Sequence, residues 1–452
     1  MFLGIDIGTT AIKFAVIENG LIKYQQTSPV TTYRESNGSC YQRFHELLAV
    51  LKVGIQSIPK DMRQQLEKMS FSVAMHSVCP WQVGADKIFI WSDTQAESCM
   101  EQFKQEAQAR VFYERTGTPL HAMSPFAKIL YFHQQKMYRP TTMFYGLKEL
   151  VMHHFVGQFV LDYATASATG LFHLTERTWD EEILQYVGIT TDQLALTVDT
   201  TEEFALLPEV AHELMIPTDF QVVIGASDGC LAAFASYCAT GIPNSLTIGT
   251  SASVRRVTKI PHFDPTKQNF CYYLNSEYYV TGAPSNNGGC VLEWASQIYA
   301  DTPAEFFERL PETLAASVIG ANGLRFAPYI NGERAPLWQK EVSGALTNIK
   351  ITHTKADMVR SIVEGILMNI RTLTRMVGVD EALSLSGGFF KSEVLRQLTA
   401  DILGTDCYLS DYNEPIMGLY YLIYGPSERP TQTIEKVHYD ETVTDVYHQL
   451  FQ

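Results

Sequence analysis

The run LGIDIGTTAIKFAV, residues 3–16, gathers a carboxylate (Asp6), a glycine (Gly8) and two hydroxyls (Thr9, Thr10) around one turn. Backbone N–H groups and hydroxyls collected at a tight turn suit phosphate oxygens, and a neighbouring carboxylate can hold a divalent cation directly or through water. The pattern returns about half a chain later, where IGTTA at 7–11 is repeated as IGTSA at 248–252. Thr247 stands in the second copy where the first has Asp6. The first turn is therefore expected to be the metal side of a phosphate site, and the second a cation-free clamp on the same nucleotide. A further carboxylate, Asp228, lies in QVVIGASDGCLAAFASYC, 221–238, at or near a helix N-cap. Capping alone would account for it and contributes about 1 kcal/mol. The same place keeps a carboxylate ionised at the positive end of a helix and at a strand end, where open α/β sheets bind ligands.

The elements that must position these groups follow from periodicity. Leu3, Ile5 and Ile7 alternate with Gly4, Asp6 and Gly8 as in a strand, and Ile12, Phe14 and Val16 resume it after the turn, so residues 3–16 form a hairpin. Phe44, Leu47, Leu48, Leu51 and Ile55 mark a helix with one buried face. FSVAMHS reads as a strand with His76 and Ser77 at its end, and IFIWSDTQAE, 88–97, as a short strand tipped by Trp91 and Asp93. RTGTPLHAMSPFAKILYFHQQK, 115–136, turns into a helix after Pro125 and sets His121, Ser124 and Lys128 near its start. LVMHHFVGQFVLDYATASATGLFHL, 150–174, reads as a helix and then a loop of small hydroxyl residues around Asp162. His153 and His154 have no ligand spacing and are read as structural.

In the second half, Asn287, Gly288 and Gly289 lead into a helix, and PYINGERAPLWQ, 328–339, is a turn-rich stretch carrying Arg334. Thr354 and Asp357 form a capping box at the head of a long helix striped by Val359, Ile362, Val363, Ile366, Leu367, Ile370 and Leu373. ALSLSGGFFKSEVLRQLTADILG, 382–404, is strand, glycine turn and helix, and Gly387 and Gly388 let a planar base or ribose lie against bare backbone.

A chain of 452 residues with 46% apolar content holds more material than one core absorbs, and the repeat places a boundary near Ile242 and Pro243, giving domains 1–242 and 243–452. The net charge of −15 argues against nucleic acid or an anionic membrane as partner, and it requires local cations for any anionic substrate. Eight cysteines without a C-x-x-C pair argue against zinc and for a reducing cytoplasm. No signal-peptide core or apolar run near 18 residues is present in the sequence, so a soluble intracellular protein is expected.

In order along essentially the whole chain, IDIGTT, MHS, GASDG, IGTSA and SGGFFKSEVLRQLTADILG resemble the FGGY family of carbohydrate kinases, within the actin and Hsp70-like ATPases. That resemblance implies two α/β domains of the actin/Hsp70 (ribonuclease H-like) type, with a duplicated phosphate hairpin and an interdomain cleft. It assigns Asp6, Thr9, Thr10 and Lys13 to the first phosphate motif, with Mg²⁺ near Asp6, and Gly249, Thr250 and Ser251 to the second. Gly289, Gly387, Gly388 and Ser392 fall around the adenosine of ATP. Asp228 matches the catalytic base, and Met75, His76 and Asp228 the sugar site. TGTPLHAMSP, DYATASATGLF, SNNGG and GASDG look most like the gluconate kinase branch, with His121, Lys128 and Arg334 as candidates for a substrate carboxylate. The chain departs from the family in Gln95, where arginine is frequent, and in Phe389 and Phe390, where smaller residues are usual.

The implied reaction is ATP-dependent phosphorylation of a sugar acid, D-gluconate to 6-phosphogluconate, with xylulose or another neutral sugar or polyol as the alternative. An actin-like ATPase without sugar chemistry would not need MHS or GASDG, and a silent sugar sensor would be expected to lack Asp6 or Asp228. The sequence leaves a homodimer open.

Overall fold

A computed structural model of the chain describes residues 1–82, 85–410, 414–426 and 435–451. The chain divides into two compact units: Met1–Cys238, Thr258–Val280 and 412–429 form the first, and Ala239–Val257, Thr281–Asp411 and 430–452 the second. The chain first passes to the second unit after Cys238, and two later segments, 258–280 and 412–429, return to the first unit. A single cut at residue 242 does not describe that return, which no local sequence pattern marks.

The first unit is built on a six-stranded sheet ordered Glu203–Ala205, Gln221–Val223, Lys68–Val73, Phe2–Ile7, Ala11–Glu18 and Leu21–Pro29. Its three middle strands, Gln221–Val223, Lys68–Val73 and Phe2–Ile7, run parallel, while Phe2–Ile7 and Ala11–Glu18 form the antiparallel hairpin. All six residues of Phe2–Ile7 are buried, as expected of a strand covered on both faces. Gly4 is small for a steric reason: a Cβ there would lie 2.5 Å from Ile416 Cγ2, on the helix Pro415–Tyr424. The other cover is the helix Phe44–Ser57, whose buried face is Leu47, Leu51, Gly54 and Ile55. A Cβ on Gly54 would strike the Phe14 ring at 2.1 Å.

The second unit repeats this plan. Asn244–Ile248 pairs antiparallel with Ala252–Thr258 and parallel with Leu383–Ser386, which is itself parallel to Cys407–Leu409. The helix Lys355–Val377 crosses the unit as a largely buried element and opens with the expected Thr354/Asp357 capping box.

Several elements differ from their sequence reading. The region around Asp162 is the strand Val160–Asp162 followed by the short helix Tyr163–Ser167, and the Asp162 carboxylate caps that helix by accepting from Thr165 N at 2.7 Å. The helix after Gly225 begins at Asp228 itself and runs to Thr240. Trp91 is 40% exposed, so it is no core residue, whereas Asp93 is buried and accepts from Cys40 N and Gln95 N. All eight cysteines are free.

Candidate active site

Asp228 lies within the electrostatic reach of Asp6 because the parallel strands leading to them, one strand apart, end on the same side of the sheet. Ala74 N donates to Ile7 O at 3.0 Å and Val73 N to Ala226 O at 3.4 Å, which laces the three chain segments together at the C-terminal ends of the parallel strands. Gly225, at φ +77°, makes the tight exit: a Cβ there would sit 2.3 Å from Phe71 O. Asp228 then opens its helix with Oδ1 accepting from Gly229 N at 2.7 Å.

Asp6 is 8% exposed and faces Ser72 across the parallel register, accepting from its Oγ at 2.6 Å. Burial first, and then the negative field of Asp228, push its carboxyl up to about 7, against the Ser72 bond and the Lys13 charge, with Glu414 adding to the rise. Two crowded carboxylates of this kind are stabilised as anions by a cation between or beside them. Among the described residues no group of three or more His, Cys, Asp or Glu side chains could hold a metal. A cation at Asp6 would therefore complete its shell with water and substrate oxygens, the habit of Mg²⁺.

The first turn is held from behind. Gly8 N donates to Ala11 O at 3.0 Å, Thr9 O accepts from Thr32 Oγ1 and Gln42 Nε2, and Thr10 O accepts from Val30 N. Thr10 is exposed and Thr9 half-buried. Lys13, opposite Asp6 in the hairpin, pairs with Glu414 at 2.7 Å, both side chains about half exposed at 41% and 48%.

The second turn closes one residue tighter, Gly249 N donating to Ser251 O at 3.0 Å, and Gly249, Thr250 and Ser251 are exposed. Its carbonyls are taken by the following helix start: Gly289 N reaches Gly249 O at 2.7 Å and Cys290 N reaches Thr250 O at 3.1 Å. Side chains are excluded there, since a Cβ on Gly288 would lie 2.7 Å from Ser251 C and one on Gly289 2.6 Å from Gly249 O. Thr247 occupies the register position of Asp6, and its Oγ1 shares a 2.9 Å hydrogen bond with Ser386, the counterpart of Ser72. Gly387, at φ +103°, lets its strand end pass Ile248 O, whereas a Cβ on Gly388 would meet nothing within 4 Å. The backbone at Gly388 is therefore uncrowded, and Gly387 serves packing. Ser392 precedes the helix Glu393–Leu403, with Phe389 and Phe390 buried beside it at a ring distance of 5.3 Å.

In the first unit His76 is buried at φ +69°, and its Nδ1 donates to Ala168 O at 2.7 Å, which ties MHS to the end of the ATAS helix. Met75 beside it is half-buried. Lys128 is 1% exposed and its Nζ donates to His76 O at 3.0 Å and to Met123 O. Burial pushes that ammonium down to about 7 while Asp93 opposes the shift. His121 Nδ1 accepts from Met123 N at 3.2 Å, so Met75, His76, His121 and Lys128 form one neighbourhood. Arg334 belongs to the second unit, where Nε donates to Asn286 Oδ1 and Nη2 to Ser285 O. Ser72, Lys148 and Glu333, which brace these segments, went unnoticed in the sequence.

Residues 1–235 match the model of the FGGY family of carbohydrate kinases, N-terminal domain, and residues 244–417 that of its C-terminal domain. The chain is 34% identical to a gluconokinase of Bacillus subtilis (strain 168), over 92% of this chain and 87% of the relative. It is 26% identical to a xylulose kinase of Staphylococcus epidermidis (strain ATCC 12228 / FDA PCI 1200), over 94% and 87% of the two chains. The crystal structure of a gluconate kinase from Lactobacillus acidophilus superposes with a TM-score of 0.91 at 26% identity, covering 100% of this chain and 96% of that one. A ligand-bound xylulose kinase from the same organism gives 0.90 at 26% identity, with the same coverage.

Proposed function

We propose that this chain, which belongs to the FGGY family of carbohydrate kinases, transfers the γ-phosphoryl group of ATP to the 6-hydroxyl of D-gluconate, forming 6-phosphogluconate. The observation that carries the reading is the pairing of Asp6 with Asp228 beside a hydroxyl-rich turn, in a chain most of whose length is 34% identical to a gluconokinase. Asp228 accepts a hydrogen bond from the sugar hydroxyl and aims it at the γ-phosphorus. A carboxylate is a weak base for an alcohol, but in a loose phosphoryl-transfer transition state the proton leaves late. Positioning is then most of what Asp228 contributes. Thr9, Thr10 and Lys13, with Gly249, Thr250 and Ser251, bind phosphate oxygens, and the Lys13–Glu414 pair must open for Lys13 to do so. Asp6 is the residue to hold Mg²⁺, which when bound neutralises charge on the phosphate oxygens. Gly289, Gly388 and Ser392 are assigned to the adenosine side.

Met75 and His76 face the sugar in this reading. His121 and Arg334 are the candidates for its carboxylate, and Lys128, held on two main-chain carbonyls, acts by fixing His76. The setting is a reducing cytoplasm, which the free thiols suit. The second reading, a xylulose kinase, is favoured by the nearly equal superposition on that class of structure. The test is kcat/KM for gluconate, sorbitol and xylulose with ATP on one preparation. One buried charge-assisted contact should favour the acid by about tenfold or more. A neutral sugar matching gluconate overturns the substrate assignment and leaves the kinase intact.

A further inference from the structure

Glu333 is 1% exposed, yet no lysine or arginine side chain is recorded within ion-pair distance of its carboxylate among the described residues. Hydrogen-bond donors take that place. Oε1 accepts from Asn286 N and Arg334 N, each at 2.8 Å. Oε2 accepts from Ser285 Oγ at 2.7 Å, from Asn369 Nδ2 at 3.0 Å and from Asn287 Nδ2 at 3.2 Å. Asn287 adds two bonds of its own to the same segment, Nδ2 to Gly332 O at 2.7 Å and Oδ1 from Asn331 N at 3.2 Å. The carboxylate therefore fastens residues 285–287 to the 331–334 segment and to the central helix Lys355–Val377.

The fastened residues run straight into Gly288, Gly289 and Cys290, whose contacts with Gly249, Thr250 and Ser251 have no side chains to absorb a shift. Gly289 N and Cys290 N hold the carbonyls of Gly249 and Thr250, and Gly288 lies against the Ser251 backbone with no room for a Cβ. A displacement of the 285–287 loop is passed directly to the exposed turn. We propose that Glu333 is a positioning residue for nucleotide phosphate, acting through the 285–290 loop to fix the turn 249–251. The inference rests on the reading of that turn as a phosphate motif.

Glu333→Gln keeps the size and removes the symmetry of the acceptor. A glutamine amide must present its NH₂ either to two backbone N–H groups, which cannot turn away, or to the three side-chain donors. The oxygen will take the backbone side, and the bonds to Ser285, Asn287 and Asn369 are then lost or reversed. ADP affinity measured by calorimetry on the full chain should fall about tenfold, the scale of one lost bond to a charged group, and the KM for ATP should rise with it. A residue serving stability alone would lower the melting temperature and leave ADP binding unchanged. Asn369→Leu removes one donor from the helix side and should weaken ADP binding about threefold, which supplies the test if Glu333→Gln does not fold. Thr250→Ala, measured alongside, separates the two layers of the inference. If Thr250→Ala weakens ADP and the Glu333 and Asn369 variants do not, Glu333 has no positioning role. If none of the three affects ADP, the phosphate assignment of the turn falls too.

Discussion

Lys148 bonds the Ser72 strand and the segment leading to Asp228, is fully buried, and its removal should be costly in a way that can be apportioned. Its Nζ donates to Phe71 O and Ile224 O, both at 2.6 Å, and stands 3.4 Å from Asp162 Oδ2. Phe71 immediately precedes Ser72, the partner of Asp6, and Ile224 precedes the Gly225 exit toward Asp228, so one ammonium straps the Ser72 strand to the segment that leads to Asp228. Lys148→Met fills the space, leaves two buried carbonyls short of a donor and strands the Asp162 charge. Each orphaned acceptor costs about 1–3 kcal/mol, and breaking a buried pair about 3–5 kcal/mol. The two descriptions overlap because they count the same ammonium, so about 4 kcal/mol is expected. At roughly 2–4 °C per kcal/mol for a unit of this size, the first unit should melt about 8–16 °C lower by calorimetry. Adding Asp162→Asn should recover about half of the loss, since it removes the stranded charge but not the orphaned carbonyls. The pH dependence carries an independent sign. Burial holds the Lys148 ammonium below its ordinary range, with Asp162 opposing. The unfolded chain keeps that proton to about pH 10.4. Between the folded and unfolded values the unfolded state binds more protons, so wild-type stability rises with pH there, and the variant should lack this increment. A variant melting within about 2 °C of wild type, with an unchanged pH slope, would refute the strap.

Two further outcomes test the site itself. Asp228→Asn keeps the hydrogen bond to Gly229 N available and removes the proton acceptor, so kcat should fall about 100-fold or more with fold and ATP binding retained; near-normal turnover in a folded variant reduces Asp228 to a helix-start residue. Asp6→Ala should raise the Mg²⁺ concentration needed for half-maximal rate and lower turnover, while Thr247→Ala leaves metal dependence unchanged; equal shifts in both would show that the two hairpins do not divide the work.

What could be read from the sequence was local. The hairpins were legible because alternation and a glycine turn are written within a dozen or so residues, and the strand-to-helix passage at Asp228 because it is equally short. Ser72 was not, since its meeting with Asp6 depends on parallel register between distant segments, and a serine in FSV has no period to announce it. Lys148 and Glu149 sit together in one helix and look like a solvated face, yet both are buried, because the lysine's partners are strand carbonyls supplied from elsewhere in the chain. Glu333 carries no local signature beside the more conspicuous cation Arg334, although the carboxylate is the better buried of the two. The small hydroxyl run after Asp162 suggested a loop, and the capping carboxylate turned it into a helix.

The duplicated hairpins differ in kind at the register position held by Asp6 in one and Thr247 in the other. Each presents a residue opposite a serine of the neighbouring parallel strand: Asp6 with Ser72, and Thr247 with Ser386. In the second copy the pair is two hydroxyls sharing a bond, a neutral arrangement that satisfies itself. In the first copy a carboxylate is nearly buried, raised in pKa by its burial and by Asp228, and one serine bond does not offset that cost. A threonine there would be quieter for the fold. In the proposed reading the carboxylate serves a metal-holding turn and is not needed by a cation-free clamp, so the same scaffold accepts strain in one half and avoids it in the other.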